Sequence, residues 1–403
     1  MKFNKWTLGL AAVGAVSMAS AVRADEAKMS QVNTALSNTT LSGYVDVAAQ
    51  YNPDNQPGRN LFYAGPIAGN LGGAAVDTSR KVNNFSLNTV TISLDKPLDD
   101  SPWASGYHID LNAGNDALNA ISFDANAGAA AQAQGFLVGV RQAYVTMRTP
   151  VGNGIDWKFG AMDGITGYEG NTDYANPNYT RSYGYAVNPA VMLGVIGTYK
   201  VCNEVSITAG IVNRGETFAA YGQNQSNLST RDYVATVSLT APDSWGFIKG
   251  STLIFGTFQG FDNSSVDNYN ISATLNTPVT GLKVGLAWDE VQSLVSSFGD
   301  GNIYGIYTSY QATDKLGFNL RAEYVDAADL FTLFNSNGGA AVNGNGSKGE
   351  EITATVQYDL WANVVTRAEF RWDHSEHGHQ FPTAGGNSDE SYYTLAVNVI
   401  YKF

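Results

Sequence analysis

Residues 391–403 read SYYTLAVNVIYKF, and this stretch decides the fold. Tyr393, Leu395, Val397, Val399, Tyr401 and Phe403 fall on one face. Tyr392, Thr394, Ala396, Asn398 and Lys402 fall on the other, with Ile400 as an apolar exception. Period two is the signature of a β-strand, because successive side chains point to opposite faces. The run is longer than the roughly five to six residues of a soluble strand. It fits the roughly nine to eleven that a tilted, bilayer-crossing strand needs. An apolar face with aromatics near both ends suits lipid.

The same alternation recurs from residue 40 onward. Sixteen segments carry it: 41–51, 84–96, 103–113, 136–149, 154–164, 189–201, 204–213, 231–241, 248–259, 268–278, 281–290, 302–312, 315–326, 350–361, 363–373 and 391–403. The breaks between them alternate in length. Short ones lie at 97–102, 150–153, 202–203, 242–247, 279–280, 313–314 and 362. Long ones lie at 52–83, 114–135, 165–188, 214–230, 260–267, 291–301, 327–349 and 374–390. A soluble sandwich has no reason to sort its loops this way. An outer-membrane barrel does, with short periplasmic turns and long external loops. A sheet in hydrocarbon must also close on itself, since nothing there hydrates free backbone groups. The expected fold is all-β: a transmembrane up-and-down antiparallel β-barrel over 40–403, of about sixteen strands, with fourteen and eighteen as the neighbouring counts. A barrel of that size encloses an aqueous lumen.

Composition removes other classes. A net charge of −13 argues against a nucleic-acid partner. A single cysteine excludes an intramolecular disulfide framework and a Cys-rich zinc module. Past the N-terminus no apolar run approaches the roughly 18 residues of a membrane helix. Residues 1–24 read as a signal peptide, with Lys2 and Lys5 ahead of a short apolar run at 8–16. Cleavage after Ala21 or Ala24 fits the small-residue rule. Ala24 is favoured because Asp25 and Glu26 then open the mature chain, whose charge becomes −16 on loss of Lys2, Lys5 and Arg23. Residues 25–39 form a short polar periplasmic segment, and the expected destination is the bacterial outer membrane.

The facing rule assigns the wall. With Thr366, Ala368, Phe370 and Trp372 toward lipid, Arg367, Glu369, Arg371 and Asp373 point inward. With Phe318, Leu320 and Ala322 outward, Asn319, Arg321 and Glu323 point inward, and Asp110 joins His108 and Asn112 on the inner face of its strand. The reason is cost: Lys or Arg toward mid-membrane lipid costs about 2–4 kcal/mol. Asp110, Arg321, Glu323, Arg367, Glu369, Arg371 and Asp373 are therefore the candidate pore-lining charges. They read either as a field that biases ions or as a self-neutralising network that stiffens the wall. Segment 136–149 fits neither register cleanly, because Arg141 and Gln142 are adjacent; a bulge or an interfacial position is expected there.

The segments NTVTISLDKPLDDSPWASGYHIDLNAG (88–114), RQAYVTMRTPVGNGIDWKFGAMD (141–163), NPNYTRSYGY (176–185), VSLTAPDSWGFIKGSTL (237–253) and LNTPVTGLKVGLAWD (275–289) resemble the β-barrel porin-2, OmpL-like family of bacterial outer-membrane proteins. The resemblance runs through most of 40–403. It implies a porin and carries over no catalytic or substrate-binding residue. Tyr401 and the terminal Phe403 resemble the signal by which such barrels are recognised, so the barrel-assembly machinery is an expected partner. By similarity to sixteen-stranded general porins, the third long loop, 165–188, is a candidate constriction, with Glu169, Asp173 and Arg181 at its narrow point and five tyrosines around them. The competing reading is a surface loop packed on its own tyrosines.

Other chemistry is weakly marked. Asp373, His374, Glu376, His377 and His379 could approach a divalent cation, but a short Gly-containing loop gathers such residues without binding, and no metal site is assigned. Cys202 reads as an inert thiol in a turn. No nucleophile elbow, phosphate loop or metalloprotease pattern occurs, so neither an enzyme nor a cofactor is expected. The expected function is passive diffusion of small hydrophilic solutes or ions with mild cation preference. Lipid surrounds the barrel, and a homotrimer is a possible assembly for it, as for many porins. The rivals are a plugged structural or adhesive barrel, and an uptake channel selective for sugar-like solutes.

Overall fold

A computed structural model describes residues 38–53, 81, 83–116, 121–122, 137–213, 231–260, 266–293, 300–327, 347–376, 381–382 and 388–403. Sixteen long strands follow in chain order: β1 (Thr40–Tyr51), β2 (Asn84–Lys96), β3 (Ser105–Gly114), β4 (Leu137–Thr149), β5 (Ile155–Asp163), β6 (Val191–Lys200), β7 (Val205–Asn213), β8 (Arg231–Thr240), β9 (Thr252–Gly260), β10 (Val266–Asn276), β11 (Leu282–Ser293), β12 (Gly301–Gln311), β13 (Leu316–Ala327), β14 (Ser347–Trp361), β15 (Val364–Ser375) and β16 (Ser391–Lys402). Each pairs antiparallel with its neighbours, and β1 pairs with both β2 and β16. Val45 sits between Val90 and Tyr401, so the sheet closes into a barrel without an edge. The seam extends to the last residue: Gly43 N–H donates to the Phe403 carbonyl at 2.9 Å and Phe403 N–H to the Gly43 carbonyl at 3.0 Å.

The sixteen strands match the sixteen alternating segments. Starts agree to within three residues except one: β9 begins at Thr252 rather than 248, because Asp243–Ile248 is a 3₁₀ turn and Gly250 holds φ +73°. The short turns gather at one end, which outer-membrane barrels hold in the periplasm. Gly281 shows why they stay tight. Its φ is +84°, and a Cβ added there would come within 2.5 Å of the Gln311 carbonyl oxygen.

The alternation sorts as expected. Val397 is 54% exposed on the outer face, and its neighbour Asn398 is 1% exposed inside. Exposed aromatics collect toward both ends. Trp103, Trp245, Phe247 and Trp361 mark the short-turn end, and Tyr51, Phe85 and Tyr304 the other. These are the positions where amphipathic rings meet the headgroups. Ile400, the exception in the last strand, is fully buried inside against Tyr44 and Val365. A second internal apolar patch joins Met162, Met192, Ile196, Val212, Val234 and Phe258 across β5–β9, with Tyr144 and Ile165 against it.

Candidate functional site

The long connection from β5 to β6 does not stay outside. Residues 164–190 turn into the barrel and lie against the inner faces of β9 to β16 and β1. They carry a 3₁₀ turn, Asp173–Ala175, and one short helix, α1 (Tyr183–Val187). Ser182 caps α1, accepting from Tyr185 N–H at 2.9 Å. A segment with so little regular structure cannot pair its own backbone groups, and buried backbone groups must be paired. The charged wall supplies the partners.

Arg321 on β13 is the hub. Its Nη1 reaches Glu169 Oε1 at 2.9 Å and the Thr180 carbonyl at 2.7 Å, while Nε reaches Glu351 Oε2 on β14 at 3.0 Å. Arg367 donates to the carbonyls of Asp173 at 3.1 Å and Asn176 at 2.7 Å. Arg371 donates to the Arg181 carbonyl at 2.6 Å and to Asp373 Oδ1 at 2.7 Å. Glu323 and Glu369 contact N–H and O–H groups instead of guanidinium groups. Glu369 accepts from Tyr179 N–H at 2.5 Å, Thr180 N–H at 2.9 Å and the Thr180 hydroxyl at 2.6 Å. Glu323 accepts from Tyr183 N–H at 2.6 Å and Gly184 N–H at 3.1 Å, the first turn of α1, where a carboxylate is favoured by the exposed donors. Within the loop, Arg181 Nη2 pairs with Asp173 Oδ1 at 2.7 Å. Tyr168 stacks on Tyr307, ring centroids 4.0 Å apart, over a wall position where Gly285 has no side chain to obstruct it. Burial pushes the Tyr168 and Tyr185 phenols up to about 12, so both stay neutral, and the Tyr185 hydroxyl donates to Asn171 Oδ1 at 2.5 Å.

The loop's other face looks across to β3–β5. There Asp110 gathers its neighbours: Arg141 Nη2 at 2.6 Å and Gln142 Nε2 at 2.7 Å, both on Oδ2, and the Ser93 hydroxyl at 2.5 Å on Oδ1. His108 lies between Asp95 and Asp110, Nδ1 at 2.9 Å and Nε2 at 3.0 Å, stacked on Tyr144. The β3–β4 register slips between Asp110 and Leu111, which face Gln142 and Val140. Arg141 is thus the bulged residue, and adjacent Arg141 and Gln142 both reach the interior. A cavity of about 210 Å³ beside them is lined by Asp163, Glu169, Asn171, Tyr174 and Tyr185. Asn171 and Tyr185 also line a narrower space of about 10 Å³ with Asp116, Arg141 and Asp173. That narrow space has room for about one water. Lys81 pairs with Asp116 beside it, both buried, with its ammonium 5.7 Å from the Tyr179 ring.

A sequence profile of the family described as "Putative beta-barrel porin-2, OmpL-like" matches residues 38–403. The chain belongs to that family. Among solved structures, this porin is similar to a loop-L8 deletion mutant of OmpT, an outer-membrane protein of Vibrio cholerae, at 12% identity and TM-score 0.55, covering 91% of this chain and 99% of that one. It is similar to the outer-membrane channel DcaP of Acinetobacter baumannii, at 12% identity and TM-score 0.54, covering 91% and 97%. In-vitro folded OmpT matches at 12% identity and TM-score 0.54, covering 94% and 100%. At such identities the likeness carries the fold alone. No curated protein sequence matches the chain.

The sequence-chosen residues of the porin divide by surroundings. Asp110, Arg321, Glu323, Arg367, Glu369, Arg371 and Asp373 all face inward, and all are at most 4% exposed. All but Asp110 lie beneath the loop and bond to it or to one another, so open lumen does not wet them. Glu169, Asp173 and Arg181 are inside the barrel too, but two of them pair with each other and the third with Arg321. Tyr401 faces lipid and the Phe403 ring lies over Gly43 at the seam. Sequence analysis passed over Glu351, Asp163, Asn171, Lys81 and Asp116, marked Arg141 only as an expected bulge, which the β3–β4 register shows, and took Tyr174 only as one of the loop's tyrosines. Glu351 was within reach: the inward alternation of Thr353, Thr355 and Gln357 continues back to it. His374 stacks on Trp372 and bonds Ser391, while His377 and His379 lie outside the described residues. Among the described residues no His, Cys, Asp and Glu group could hold a metal.

Proposed function

We propose that this outer-membrane porin is a passive diffusion channel for small hydrophilic solutes and ions. The observation that carries the reading is the interior loop. It presses on β9–β16 and β1 and leaves a polar gap against β3–β5, where Asp163, Glu169 and Asp173 stand near Arg141. Solutes move down their gradient, selected by width and field. Glu169 and Asp173 are paired with Arg321 and Arg181, so the mild advantage for small cations rests on the gap-lining carboxylate of Asp163. Residues 1–24 serve as the signal peptide, cleaved after Ala24, and residues 25–39 stay periplasmic. The barrel-assembly machinery inserts the mature chain, and trimer assembly is open to the same biochemistry. No covalent step belongs to this reading.

A plugged structural barrel is the second reading, favoured by the narrow stretch of about 10 Å³. Single-channel recording of the refolded mature protein in a planar bilayer separates the two. Stable open steps with a cation-positive reversal potential in a KCl gradient support the channel. A folded barrel that stays silent overturns it and leaves the plugged reading.

A further inference from the structure

The charged groups along the open wall, from Asp95 on β2 to Asp163 on β5, pair off except for two. His108 has a carboxylate at each ring nitrogen, Asp95 at 2.9 Å and Asp110 at 3.0 Å. Both nitrogens therefore donate, and the ring is an imidazolium. Arg141 meets Asp110 at 2.6 Å, and Arg148 meets Asp156 at 2.6 Å. The two charges left over both belong to β5. Asp163 accepts from Asn171 Nδ2 at 2.9 Å, and its ion-pair contact is a loose one, 3.8 Å from Arg141 Nε. Lys158 shares the inward row of Asp156 and Met162 and is half-buried. Among the described residues no carboxylate comes within 4.0 Å of its ammonium, and Asp163 and Asp95 act on it only from farther away. What it touches is the Tyr144 ring, 4.7 Å from ammonium to centroid. His108 stacks on that same ring, centroids 5.2 Å apart, which holds it in place from β3.

The kind of partner matters. A carboxylate cancels a cation, so the Arg148 pair has little field beyond its own contact. An aromatic face attracts an ammonium through its quadrupole and carries no net charge. Tyr144 thus steadies Lys158 on the wall without neutralising it, and the charge stays available to mobile ions. At about 5 Å in water a unit charge raises the local concentration of a small counter-ion about fourfold. We infer that Lys158 is a specificity-determining residue of the channel. Its ammonium holds small monovalent anions, chloride or a short carboxylate, in transit past β5 and offsets the pull of Asp163 on cations. The inference rests on the channel reading and explains why its cation preference is mild: two opposite charges on one strand compete. Neutralising either one unmasks the other.

The test is the reversal potential of the refolded mature protein in a KCl gradient across a planar bilayer. Lys158→Gln should raise the potassium-to-chloride permeability ratio about threefold. Lys158→Met should raise it equally, and Lys158→Arg, which keeps the charge, should leave it near the wild-type value. Asp163→Asn should move the ratio the other way. The Lys158→Gln shift should shrink as both chambers approach about 1 M salt, where the Debye length falls to about 3 Å. A purely structural role for Lys158 would produce neither the ordering by charge nor the salt dependence. A conducting Lys158→Gln barrel with the wild-type ratio, or an Arg variant that shifts as far as the Gln variant, overturns the inference and leaves the channel reading standing. A folded wild-type barrel that stays silent overturns the channel reading, and this inference with it.

Discussion

Arg321 on the wall and Glu169 on the interior loop form an ion pair, Nη1 to Oε1 at 2.9 Å, with both side chains fully buried. Glu351 pairs with the same guanidinium at 3.0 Å. Removing one member of a buried ion network costs about 3–5 kcal/mol, because a charge is left without compensation. Arg321→Gln leaves Glu169 without its guanidinium partner, leaves Glu351 with Arg371 alone at 3.8 Å, and frees the Thr180 carbonyl. The variant should unfold at clearly lower urea concentration than the wild type, and protease should cut within 165–188. An unchanged urea midpoint and an intact loop would show that the pair does not fasten it.

Asp110 holds both Arg141 and Gln142 on one oxygen at the β3–β4 bulge. Asp110→Asn removes a negative charge from the gap while keeping a group of the same shape. The Arg141 guanidinium then dominates the local field. The reversal potential in a tenfold KCl gradient should move toward anion preference, and the unfolding midpoint should fall because buried Arg141 loses its close carboxylate partner. A reversal potential equal to that of the wild type would place the ion path elsewhere.

How much of this was legible follows from which force wrote each part. Lipid punishes a misplaced charge on every strand, so Val397 against Asn398 and Phe370 against Arg371 could be read from alternation alone. Loop lengths gave the topology for the same reason: one end of the barrel is built from tight turns such as the one at Gly281. Ile400 defeated the rule because its inward neighbours, Tyr44 and Val365, come from β1 and β15 and are distant in sequence. The docking of the loop was beyond the alternation. Glu323 and Glu369 hold it through the backbone N–H groups of residues 179, 180, 183 and 184, and backbone groups leave no mark in sequence. The inward face of Arg321 and Arg371 was thus readable, and their burial under the loop was not.

Glu369 isolates that backbone contribution. Glu369→Leu leaves the Tyr179 and Thr180 N–H groups without their acceptor, and each orphaned donor costs about 1–3 kcal/mol. Glu369→Gln keeps one acceptor oxygen. Stability should therefore fall in the order wild type, Gln, Leu. Single-channel conductance should rise in the same order as the loop loosens. Equal midpoints for the three proteins would assign the loop's hold to the guanidinium groups alone.

Tyr174 tests the width of the gap. It lines the 210 Å³ cavity, and its ring meets Tyr44 edge-on with centroids 5.1 Å apart. Tyr174→Ala removes the ring without touching an ion pair. Conductance should increase and larger neutral polymers should enter, read as a higher exclusion limit in polyethylene glycol partitioning. A channel of unchanged exclusion limit would move the narrowest point away from this side of the loop.

Phe403 makes an observed seam contact and carries a proposed assembly role, and the two separate by where folding takes place. Its backbone closes the seam with Gly43 through two hydrogen bonds, which a substitution keeps. Its ring ends the strand, in the position that resembles the assembly signal. Phe403→Ser should therefore refold in detergent to a heat-modifiable barrel with a urea midpoint close to the wild type. On the proposal that the assembly machinery reads this ring, outer-membrane abundance in cells should fall several-fold. Equal losses in detergent and in cells would make the ring a packing element over Gly43, and equal abundance in cells would remove the terminal residue from recognition.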